Sequence, residues 1–140
     1  MRAGSLPKTL SPIRAGTPEN HHRISFSFRH VDQTHQKFRY SQRDSAYFCK
    51  VIERLRALCN FTVQEFHAER SSAMRAHPIV WEGTSEPAGF ASLNEQLRSS
   101  TPFQFAVSAN QHGRIHGFFV DHVFFVVWLD PDHSLYPGRK

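Results

Sequence analysis

Four side chains near the C-terminus have the types and spacing to act on a phosphate: Arg114, His116, His133 and Tyr136. Cleavage of RNA by its own 2′-hydroxyl needs one group to take a proton, one to return it, and a cation to hold the phosphate. Histidine or tyrosine can do the first two and arginine the third. Arg114 and His116 lie two apart, which puts them on the same side of a strand. His133 and Tyr136 follow the end of the next apolar run. Each residue also has a plainer reading: His116 as a core histidine bonded to a carbonyl, Arg114 as an exposed strand-end side chain. His133 then reads as a turn residue after Pro131, and Tyr136 as a ring packed over the sheet edge.

The elements that must position these residues read as follows. Residues 114–120 and 123–129 are two apolar runs separated by Asp121-His122, a two-residue link that favours a tight hairpin. With that link Val120 faces Val123, Phe118 faces Phe125, His116 faces Val127 and Arg114 faces Leu129. The tail then starts beside the Arg114 end. Both hairpin faces are apolar near the turn, so these strands are expected to be central and covered on both sides. Asp130-Pro131 stops the ladder, because proline has no N–H to give. Phe103, Phe105 and Val107 alternate with Gln104, Ala106 and Ser108 as a preceding strand, turned by Ala109 to Gly113.

Upstream, Ile24, Phe26 and Phe28 alternate with Ser25, Ser27 and Arg29, predicting a half-buried strand. Residues 32–43 are polar and loop-like, with Phe38 and Tyr40 able to extend briefly. Asp44 or Ser45 caps a helix whose stripe is Phe48, Val51, Ile52, Leu55 and Leu58, ended by Asn60. Thr62 with Glu65 forms a capping box and Phe61 with Phe66 its hydrophobic staple, predicting a helix from Val63 to about Arg70. Ile79-Val80-Trp81 reads as a short extended piece. Phe90, Leu93 and Leu97 suggest a third helix ending near Arg98. The expected architecture is one α+β domain over 24–140, with an N-terminal strand, two to three helices and a three-stranded antiparallel C-terminal sheet.

Residues 1–23, with three prolines and few large apolar side chains, read as a disordered arm, since little burial repays their ordering. This arm holds Arg2, Lys8, Arg14 and Arg23 against Glu19, a good part of the formal charge of +5. Residues 24–140 carry 13 basic and 11 acidic side chains. A globally basic surface is therefore not indicated, and any anion site must be a local cluster. No run of 18 apolar residues spans a membrane, and the start lacks a secretory apolar run, so a cytoplasmic location is expected. Cys49 and Cys59, on one helix, would be about 15 Å apart along its axis and so free thiols of the small core kind.

Other chemistries find less support. Asp130, Asp132 and His133 could ligate a metal, but no HExxH, CxxC or EF-hand loop is present. No GxSxG, Walker loop or GxGxxG occurs either, so no cofactor is expected. His21-His22 and the His30/His35 pair read as surface residues.

Two stretches carry a resemblance to a known family: Arg114-Ile115-His116-Gly117-Phe118-Phe119-Val120, and Val123 through Tyr136. With the order of elements, they resemble the RelE/ParE superfamily of small bacterial toxins, in particular the YafQ-like mRNA interferases. The tail Asp132-His133-Ser134-Leu135-Tyr136 is similar to that family's closing motif. The resemblance implies an endoribonuclease in which His133 is the catalytic histidine and Tyr136 the terminal aromatic. Arg114 or His116 would occupy the positions of basic residues on the preceding strand. It further implies mRNA on the ribosome and an antitoxin protein as partners. This chain departs from the family in its neutral body and in an insertion from about Arg70 to Pro102. The alternative is a non-catalytic protein- or nucleic-acid-binding module of a mobile element or defence system.

Overall fold

The computed structural model describes residues 22–68, 74–109 and 111–136; most of the expected arm and the end of the second helix lie outside them. In chain order the elements are β1 (Ser25–Ser27), α1 (Ser45–Leu58), α2 (Val63–Ala68), β2 (His77–Pro78), α3 (Glu95–Arg98), β3 (Pro102–Ala106), β4 (Arg114–Val120) and β5 (Val123–Asp130), with a 3-10 turn at Trp81–Gly83. The sheet corrects the expectation of three antiparallel strands. It has five, in the order β1-β5-β4-β3-β2, and β1 runs parallel to β5. A three-residue strand cannot stand alone. The crossover that parallel pairing requires is supplied by the chain between β1 and β5, which carries the helices. As expected, β4 and β5 are central.

The helices start where their caps place them. Asp44 accepts from the Tyr47 amide at 3.0 Å. Thr62 and Glu65 exchange both bonds of the capping box, at 2.9 and 3.1 Å. On α1 the buried stripe is Tyr47, Val51, Leu55 and Leu58, while Ile52 is 61% exposed. The stripe is thus rotated from the expected one. Cys49 lies off it and Cys59 is the C-cap, so both thiols are free and exposed rather than core residues. The third helix shrinks to the single turn of α3, capped by Asn94. Phe90 and Leu93 reach the core from turns instead. Extended pairing stops near Pro78, Val80 is 63% exposed, and Trp81 begins the 3-10 turn.

The sheet is covered on both faces. Helices α1 and α2 lie on one, burying Val51, Leu55 and Phe66 against Phe103, Phe105, Ile115, Phe124 and Val126. The other is covered by the loop before α1, the segment 79–97 and the tail. There Phe38, Ile79, Phe90, Leu93 and Leu135 pack on Phe118, Val127 and Trp128. His35 belongs to this layer rather than to the open surface, with its ring 5.1 Å from that of Trp128. His30 likewise lies 5.5 Å from Phe125.

The hairpin register holds near the turn and then slips. Val120↔Val123, Phe119↔Phe124 and Phe118↔Phe125 pair as predicted, but between Gly117 and His116 a bulge intervenes. Beyond it His116 faces Trp128, Ile115 faces Leu129 and Arg114 faces Asp130. This corrects the expected pairs His116–Val127 and Arg114–Leu129. A bulge sets two residues against one, so Val127 is the extra residue and the strand is rephased. Trp128 and Asp130 thereby join His116 on the loop-covered face, and Leu129 turns to the helices. Gly117 permits this approach: a Cβ there would stand 2.0 Å from the Phe125 carbonyl oxygen.

Candidate functional site

The rephased strand brings His116 and Asp130 together. Both are at 0% exposure, and the His116 Nε2 lies 2.9 Å from Asp130 Oδ2. Asp130 also gathers the tail. Its Oδ1 accepts from the Ser134 amide at 2.7 Å and its Oδ2 from the Leu135 amide at 3.1 Å. The Asp130 carbonyl accepts from the His133 amide at 3.1 Å, with His133 in the left-handed region at φ +55°. The chain after Pro131 is thus wrapped around one buried carboxylate.

Electrostatics fix the protonation of this pair. Burial pushes the His116 imidazole down; Asp130 pushes back, and Arg114 and His77 add to the lowering, so the ring holds its proton less well than a free histidine. Burial pushes the Asp130 carboxyl up, but His116 and the two tail amides outweigh it and its pKa lies below the ordinary value. The consistent assignment is an ionised Asp130 accepting from a neutral His116 with its proton on Nε2. A doubly protonated ring would carry a buried charge and a second donor on Nδ1, which has no partner among the described residues.

His116 is one member of a row across four strands. His77 pairs with Gln104, Gln104 with His116, and His116 with Trp128. His77 Nδ1 lies 2.8 Å from the Pro78 carbonyl and its Nε2 3.1 Å from Gln104 Nε2. Since a carbonyl only accepts, Nδ1 carries the proton and Nε2 accepts from the amide. The row continues to the tail: the Tyr136 ring is 5.9 Å from that of His77, and the His133 ring is 6.5 Å from Tyr136. Of the expected residues, Arg114 and His116 share one face, while His133 and Tyr136 stand together at its end. Arg114 is half-buried opposite Asp130 and donates to the Gly113 carbonyl.

The loop-covered layer closes over the pair. Phe38 stacks on Trp128 at 4.4 Å, and Phe90 meets the same ring edge-on at 4.8 Å. Glu86 ties the layer together, pairing with Lys37 at 2.6 Å and His35 at 3.2 Å. Ser85 donates from its amide to the Leu135 carbonyl and from its hydroxyl to Ser134. Beneath this layer the His116 imidazole has no route to a bound phosphate in this arrangement. His133 and Tyr136 are only half-buried.

Asp130, His77 and Gln104 were not among the residues singled out for acid–base chemistry. Gly117 inside an apolar strand is the signal that could have led to Asp130, since such a glycine points to a bulge. Among the described residues no group of three or more His, Cys, Asp and Glu could hold a metal ion. Asp132, one of the ligands considered from sequence, pairs with Arg43 at 2.6 Å. No helix among the described residues is long and apolar enough to cross a membrane. No family model, curated protein or solved structure matches this chain.

Proposed function

We propose that this chain is a small RNA-directed, toxin-like protein that engages single-stranded RNA at the edge formed by His77, Tyr136 and His133. The observation that carries this reading is the succession of rings at 5.9 and 6.5 Å along that edge, with Arg114 on the same face of the sheet. Unpaired RNA is held by aromatic stacking together with cations on its backbone. In this reading His133 and Tyr136 exchange the protons as the 2′-hydroxyl attacks, without a metal, and Arg114 neutralises the phosphate. His116 is a positioning residue: through Asp130 it fixes the backbone between His133 and Tyr136. The partners are mRNA, free or on the ribosome, and an antitoxin that covers the edge.

The test is incubation of the purified protein with mRNA, with and without translating ribosomes, in the presence of a chelator. Cleavage leaving 2′,3′-cyclic phosphate ends is expected. His133→Ala should slow it by roughly 100-fold or more, the usual size of an acid–base contribution, with thermal stability unchanged. Full cleavage by that variant would remove His133 from the chemistry.

A second reading is a non-catalytic protein- or nucleic-acid-binding module of a mobile element or defence system. Full burial of His116 favours it, since the best-formed acid–base pair of the fold is sealed from substrate. Protein that cuts no RNA and co-purifies with one specific protein would select it.

A further inference from the structure

The loop between β1 and α1 forms a pocket separate from the His133–Tyr136 edge. Gln33, Thr34, Arg39, Tyr40 and Ser41 enclose about 280 Å³. The loop is anchored on both sides of the pocket. The Asp32 amide donates to the Val127 carbonyl at 2.8 Å, Phe38 stacks on Trp128, and Arg43 pairs with Asp132. These contacts tie the loop to the folded core, while the lining itself is the loop's own exposed side chains and the half-buried Tyr40.

Its chemistry suits an anion. Arg39 is exposed and belongs to no ion pair among the described residues. The neighbouring Asp32 carboxylate accepts through Oδ1 from both the amide and the hydroxyl of Thr34 at 3.0 Å but keeps its negative charge, which Arg39 must outweigh for an anion to bind. The Ser41 hydroxyl and the Gln33 amide supply further donors on the lining. A guanidinium fork matches the paired oxygens of a phosphate better than an ammonium does. Whole small-molecule sites run to roughly 300–1,000 Å³, so this volume fits a phosphate with part of its sugar.

We propose that the Arg39 pocket binds a phosphate group of the RNA backbone, as a second contact beside the His133–Tyr136 edge. The identity of the strand rests on the RNA reading above; the phosphate chemistry does not. The two places are close along the fold. Arg43 lies four residues from Arg39, a span of at most about 14 Å, and its guanidinium holds Asp132, the neighbour of His133. One strand of a few nucleotides could touch both.

The experiment follows backbone amides 33–41 by NMR while inorganic phosphate, and separately a short unstructured RNA, is added to the full chain and to Arg39→Gln. Phosphate should shift the amides around the pocket in the wild type and not in the variant. RNA binding by Arg39→Gln should be several-fold weaker. Its slope of log affinity against log salt should be shallower by about 0.7, the value for one phosphate contact on a single strand. Arg39→Lys should retain part of the affinity, and unchanged melting of both variants shows that the fold is intact. Phosphate shifts at the pocket without RNA binding would keep the site as one for free phosphate or a nucleotide and overturn the RNA assignment. RNA binding that is indifferent to Arg39→Gln would overturn the pocket and leave the RNA reading standing. Response to neither ligand would overturn both.

Discussion

On the helix-covered face, Phe66, Phe105, Ile115, Phe124 and Val126 pack ring on ring and methyl on ring at 0–1% exposure. On the loop-covered face, Gln104, His116 and Asp130 are buried among Phe38, Phe118 and Trp128. The first face draws its stability from apolar area, which is indifferent to pH and tolerant of detail. The second depends on the buried Asp130 carboxylate keeping its donors from His116, Ser134 and Leu135, because a buried charge without them is strongly unfavourable. The same sheet thus has one face that stabilises and one that specifies, the latter fixing the path of the tail.

The largest expected effect that tests this contrast is Asp130→Ala. It strips partners from His116 and two tail amides at once and should cost about 3–5 kcal/mol in urea unfolding. A loss below about 1 kcal/mol, the size of an ordinary net hydrogen bond, would break the comparison. Phe66→Ala, on the opposite face, should cost a similar 3–5 kcal/mol or so through the cavity it leaves. Its cost should be equal at pH 7 and pH 5; a pH-dependent cost would show that the faces are not electrically distinct.

The pH dependence itself sharpens the contrast. His116 has a folded pKa below its unfolded value. As pH falls through about 6.5, the unfolded chain takes up a proton that the folded chain refuses. Stability should then drop by at most about 1.4 kcal/mol per pH unit for this one group, until the folded imidazole titrates. Asp130 has a depressed folded pKa. Its contribution persists above about pH 3.9 and is lost as pH falls through the folded value. Denaturant melts of wild type and His116→Gln from pH 7.5 to 4.5 check this, and the variant should have the shallower slope. The smallest effect belongs to Thr62→Ala, which removes one side of the α2 capping box on the helix face. It should cost about 1 kcal/mol and be insensitive to pH in the same melts.

The helix face was the legible one. Its caps at Asp44 and at Thr62 with Glu65 are local patterns spanning four residues, and local hydrogen bonds do not wait on the tertiary fold. The order of strands within the C-terminal hairpin and its turn at Asp121-His122 were legible for the same reason. The loop face was not. A single extra residue at Val127 exchanges every later side chain between faces, and alternation in an all-apolar run such as Phe124 to Leu129 leaves no trace of it. The parallel pairing of β1 with β5 joins residues nearly a hundred positions apart, which periodicity cannot register. Hence the sequence puts Arg114 and His116 on one face, as observed, while Asp130, the residue that organises the tail, reads there as the end of the ladder and a candidate metal ligand.

The most direct test is the tautomer and titration of His116, read from ring nitrogen-15 shifts across pH 5 to 8. A neutral ring protonated at Nε2 at pH 7, with no change until pH falls below about 6.5, is the predicted result. A proton on Nδ1, or a ring that charges at or above that pH, would contradict the buried bond to Asp130 on which the placement of His133 and Tyr136 depends.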